Sequence, residues 1–150
     1  MNAAHVHLLA NHVSFFALLI GLITLCVSMK RKSVDLRVLA SSLFVVAGIF
    51  IWITFLSGEG AEDVVKALGG DSGELIEQHE QAAAWARGSG TLVALIAIGM
   101  EWAIRTKKKF AKALQWALLV FGLHGSTVYL ATSYLGGQIS HPELRDSAKK

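Results

Sequence analysis

The apolar residues of this chain are gathered into four blocks of about twenty, with short charged segments between them. A helix crossing the hydrocarbon core of a bilayer needs roughly 20 consecutive apolar residues. A soluble domain of 150 residues would not normally collect its apolar residues in this way. A transmembrane β-barrel would instead show short alternating segments. The expected fold is therefore an all-α membrane protein, an antiparallel four-helix transmembrane bundle. The spans are expected at about 6–28, 38–55, 82–103 and 113–134. The first is longer than a signal-peptide core, has no basic region before it and is followed by Lys30, Arg31 and Lys32, so it reads as retained.

Charge sets the expected orientation. The link between spans one and two carries Lys30, Arg31, Lys32 and Arg37; the link between three and four carries Arg105, Lys107, Lys108, Lys109 and Lys112. Lys and Arg next to spans mark the cytoplasmic side. Nine of the eleven acidic residues (Glu59, Glu62, Asp63, Asp71, Glu74, Glu77, Glu80, Glu143 and Asp146) lie in the opposite segments. Both termini are thus expected in the periplasm of a bacterial inner membrane. One four-span domain, 1–150, would include a periplasmic connection at 57–81 and a periplasmic tail at 135–150. A pI of about 9.2 could suggest nucleic acid in a soluble protein, but here the basic loops are short and juxtamembrane, so no nucleic acid is expected. The single cysteine, Cys26, excludes an internal disulfide and reads as a packing residue.

Within the connection, residues 59–68 suit two or three turns of helix, stopped by Gly69 and Gly70. Asp71 or Ser72 can cap the next helix, which should begin near Gly73 and run unbroken into span three. Gly88, Gly90 and Gly99 make span three rich in small residues, suited to close packing within the monomer or to a homodimer. Arg87, near its start, can snorkel to the surface. Gly136 and Gly137 are expected to end span four.

This topology brings His5, His7, His12, His79 and His141 to one membrane face, with Glu59, Glu62, Glu80 and Glu143; only His124 lies deeper. Histidine within a span is costly without a partner or ligand. Mixed histidine and carboxylate ligation suits zinc, iron or manganese. His5 and His12 are seven apart and share a helical face, so His7 is expected at the surface. The expected transition-metal site is His12, Glu62, His79 and His141, with His5, Glu59, Glu80 and Glu143 as additional or supporting ligands. The alternative cofactor is a b-type haem, with His12 and His124 as axial ligands and a redox partner protein to exchange electrons. A third reading is a structural partner subunit of a membrane complex. Each residue also has an ordinary alternative. The carboxylates can be solvated helix ends, and His12 and His124 can make structural hydrogen bonds. No nucleophile elbow, phosphate loop or dinucleotide fingerprint appears, and the GDSG at 70–73 reads as a cap and turn.

Four stretches, HLLANHVSFFALLIGL, SGEGAEDVV, the His79-Glu80 pair in IEQHEQAA and YLGGQISHPELR, resemble the small bacterial four-helix membrane proteins of the DUF2231-like type. The resemblance covers nearly the whole chain in short motifs. It departs at Val13 and Ser14, where those proteins have a Phe-Pro element. It implies that Asn11, His12, Glu59, Glu62, His79, Glu80, His141 and Glu143 are matching positions, and it implies no particular cofactor.

Overall fold

The computed structural model describes residues 2–68 and 73–141. These form five helices: α1 (Ala3–Arg31), α2 (Val34–Leu56), α3 (Gly58–Ala67), α4 (Gly73–Arg105) and α5 (Ala111–Ser140). All but α3 are long and apolar enough to cross a membrane. At about 1.5 Å per residue, even the 23 residues of α2 exceed the roughly 30 Å hydrocarbon core. The chain is an all-α membrane protein.

Local chemistry explains the boundaries. Asn2 caps α1, its side-chain oxygen accepting from the His5 amide. Lys32 takes a left-handed conformation, with φ of 53°, and ends the helix. Ser33 then caps α2 by accepting from the Leu36 amide. Two residues thus link the helices, and α1 packs along α2. The short α3 occupies part of the expected connection, and α4 runs unbroken from Gly73 into the third span. Gly69, Gly70, Asp71 and Ser72, expected to stop one helix and cap the next, lie outside the described residues, as does the tail from residue 142.

Gly136 and Gly137 do not end the last helix. They lie inside α5, which continues to Ser140. A Cβ on Gly136 would stand 3.0 Å from Cε1 of His79, so this glycine makes room for a ring.

The core runs along the bundle axis. Leu25, Phe44, Met100 and Leu118 are fully buried, among Ala40, Ala47 and Ala97. Phe44 fills the space left by Gly21 and Gly122. Gly48 meets Ala94 and Gly90 meets Ile51 where α2 crosses α4. Large side chains such as Phe16, Leu19, Ile23 and Leu95 are exposed, a surface suited to lipid. The most exposed tryptophan and tyrosine side chains are Trp85 and Tyr134 toward one end of the bundle and Trp102 and Trp116 toward the other. Along α4, Trp85 and Trp102 are separated by about 26 Å at the helical rise, the spacing of two interfacial aromatic belts.

The glycine contacts predict a graded response. A Cβ on Gly48 would stand 2.7 Å from Ala94 Cβ, so Gly48→Ala must push α2 from α4, at a cost of about 1–3 kcal/mol. Gly90→Ala should cost less, because the atom it meets is the movable Cδ1 of Ile51. Gly88→Ala enters open space and should cost nothing. Thermal melts in detergent, followed by circular dichroism, would rank the three.

Candidate functional site

Two histidine rings stand together at the end of the bundle where α1 begins. His7 comes from α1 and His79 from α4; their centroids are 6.4 Å apart and their planes 65° apart. Each ring is held by a backbone carbonyl of another helix. Nδ1 of His7 lies 2.9 Å from the carbonyl oxygen of Thr54 on α2, and Nδ1 of His79 lies 3.0 Å from that of Thr132 on α5. The pair therefore draws on all four spanning helices. Thr54 sits in the last turn of α2, where helical carbonyls run out of amide partners.

These bonds decide the tautomer. A carbonyl only accepts, so each ring donates from Nδ1. In the neutral ring the lone pair then sits on Nε2. Among the described residues nothing hydrogen-bonds to Nε2 of either ring. A histidine whose Nδ1–H is held by a carbonyl is oriented in the way that metal-ligating histidines are.

Both rings line a cavity of about 650 Å³, within the usual range for small-molecule and cofactor sites. Ile51, Phe55, Val65, Ile76 and Ala86 supply apolar wall, and Gly58, Gly136 and Gly137 supply space. Tyr129, buried, donates a 2.7 Å hydrogen bond to the side-chain oxygen of Asn11, and both residues line the cavity.

The residues singled out in sequence divide into two groups. Glu59, Glu62, His79, Glu80 and His141 all line this cavity. His5 and His12 do not. Both are exposed, His5 bonded through Nδ1 to the Asn2 side chain and His12 donating to the Leu8 carbonyl one turn back. His124 is exposed on α5 and lines no part of the cavity, so His12 and His124 are not brought together around it. Glu143 lies outside the described residues. Glu62 is engaged with Lys66 one turn on; its hydrogen bond, then its charge, raises the Lys66 pKa above the usual lysine value. Among the described residues no three His, Cys, Asp or Glu side chains converge as metal ligands.

His7 is the residue that the spacing argument misplaced. It is half-buried and faces the cavity, where a surface position was expected. The signal was present in residue size. His7 lies three residues before Ala10 and seven before Ser14, on the face continued by Ala17 and Gly21, all buried. His12 shares its side of the helix with bulky residues such as Leu8, Phe16 and Leu19, which are exposed. In lipid the small-residue face is the one that packs.

Comparison with family profiles, curated proteins and solved structures finds no match for this chain.

The tautomer argument has a direct readout. Side-chain ¹⁵N spectra of the protein without added cofactor should show His7 and His79 protonated at Nδ1, with the signals assigned by their loss in His7→Ala and His79→Ala. Protonated Nε2 in either ring would contradict the two carbonyl hydrogen bonds.

Proposed function

We propose that the protein is a small b-type haem protein of the bacterial inner membrane, in which His7 and His79 are the axial ligands. Two histidines from different helices carry this reading, each held through Nδ1 by a backbone carbonyl of another helix and both lining one cavity. The ligand count agrees: a structural zinc site asks four side chains of the protein, whereas a haem asks only for axial ligands.

A bound haem would supply one-electron chemistry. The chain's own residues would hold and tune it. The Thr54 and Thr132 carbonyls fix the two rings and make them stronger donors. Ile51, Phe55 and Val65 exclude water, and burial of this kind is one of the levers on potential. Gly58 and Gly136 leave the space beside the rings that a side chain would fill.

A non-haem zinc, iron or manganese site is the second reading. It is favoured by Glu59, Glu62, Glu80 and His141 lining the same cavity as His79. We also propose kinship with the DUF2231-like proteins. Six of the eight matching positions line this one cavity, namely Asn11, Glu59, Glu62, His79, Glu80 and His141.

The antiparallel arrangement belongs to the same proposal. Its support is the pairing of helix levels: His7 with Thr54, Gly48 with Ala94, His79 with Thr132, and Asn11 with Tyr129. Rising numbers on one helix meet falling numbers on the next. The positive-inside bias then puts the basic links in the cytoplasm and the histidine cavity at the periplasmic face.

Absorption spectra and metal analysis test the function together. Protein purified in mild detergent, or supplied with haem, should show a Soret band of the six-coordinate, low-spin kind. His7→Ala or His79→Ala should abolish that state, while His12→Ala and His124→Ala should leave it. A band unchanged by both cavity substitutions would overturn the ligand pair. A featureless visible spectrum with one or two equivalents of zinc, manganese or iron would move the site to the second reading.

Orientation is tested by thiol labelling in a Cys26→Ala background. Glu59→Cys should react with an impermeant reagent added outside the inner membrane, and Ser33→Cys only after the membrane is opened. The reverse pattern would invert the topology.

A further inference from the structure

Arg87 lies within the third span and does not line the histidine cavity. The guanidinium of Arg87 on α4 sits 4.1 Å from the ring centroid of Phe55 and 5.1 Å from that of Trp52, both on α2. The platform is tied in place. The indole N–H of Trp52 donates to Thr91 Oγ1 at 2.9 Å, and that hydroxyl donates to the Arg87 carbonyl at 2.8 Å. Among the described residues the guanidinium has no carboxylate partner and donates no hydrogen bond.

Its depth matters. Arg87 is two residues from the exposed Trp85, at the level of the aromatic belt on that side of the bundle. Trp52 is itself 41% exposed, so the stack sits at the surface along the seam between α2 and α4. At that level a long cationic side chain reaches the headgroup layer, where phosphate is the anion at hand. A planar guanidinium offers aromatic rings its face and keeps its N–H groups on its edge, in a fork that matches phosphate oxygens.

We propose that Arg87, backed by Phe55 and Trp52, binds the phosphate of a phospholipid headgroup at the α2–α4 seam. The site shares Phe55 with the wall of the histidine cavity, whereas Arg87 and Trp52 do not line it. The aromatic platform holds the guanidinium in advance of binding, which lowers the ordering cost of the contact. The annular lipid would in turn cover a guanidinium that has no carboxylate partner among the described residues.

The experiment is a titration of the full protein in detergent with phosphatidylglycerol, read by native mass spectrometry. Wild type should retain the lipid. R87Q should weaken binding about tenfold, the factor for losing one charge-assisted contact. Arg87→Lys should fall between, since it keeps the charge and loses the fork, and Phe55→Leu should weaken binding with the cation intact. Circular dichroism reports whether each variant folds; if R87Q does not, the lysine and leucine variants carry the test. Inorganic phosphate at millimolar concentration should not displace the lipid. Equal lipid binding by wild type and the three variants would overturn the proposal, and displacement by inorganic phosphate would overturn the headgroup assignment.

Discussion

Backbone proximity between helices is the constraint on which the rest of this structure depends. In lipid, apolar side chains gain little by leaving the solvent, so helices associate through close packing and hydrogen bonds. Gly48 against Ala94, Gly21 and Gly122 against Phe44, and Gly90 against Ile51 are the places where α1, α2, α4 and α5 are drawn together. The same rule decides what faces outward. Leu19, Ile20, Leu95 and Val120 are exposed because they suit the solvent, whereas Ser14, Ser28 and Ser41 are buried because they are small and return their hydroxyls to a carbonyl of their own or a preceding turn.

The histidine cavity follows from that packing. The small-residue face of α1 points into the bundle and carries His7 with it. Gly136 brings α5 close enough for His79 to reach the Thr132 carbonyl. Carbonyls of α2 and α5 then orient two rings contributed by α1 and α4. Each helix supplies either a ring or the group that aims it, so local sequence around one histidine says little about its role. The carboxylates are differently placed. Glu59 and Glu80 are exposed at the cavity's edge and Glu62 is paired with Lys66, an arrangement that solvates the mouth more than it crowds a metal.

Much of the architecture was legible before any geometry. The four apolar blocks, a short helix read at 59–68 and found at Gly58–Ala67, and the unbroken helix from Gly73 all follow from hydropathy, length and helix signals. Five of the eight metal candidates also gather at one cavity: Glu59, Glu62, His79, Glu80 and His141. Spacing without size put His7 at the surface, whereas it lines the cavity. His5 and His12 do share a helical side, but that side is exposed. The Gly136-Gly137 pair looks like a helix stop when only its neighbours along the chain are considered. It is a gap in a helix surface once His79 is seen against it.

The sequence by itself determined that this chain forms membrane-length helices, because hydrocarbon thickness and backbone hydrogen bonding leave a run of about twenty apolar residues almost no other structure. It also carried the charge pattern of the links, from which one end of the bundle was expected to gather histidine and carboxylate. Only the tertiary structure decided which histidines meet. That choice rests on the rotation of each helix about its own axis, set by the fit of glycine and alanine faces against side chains from distant parts of the chain. A helical repeat can say that two residues share a face; only the neighbouring helix says whether that face looks inward.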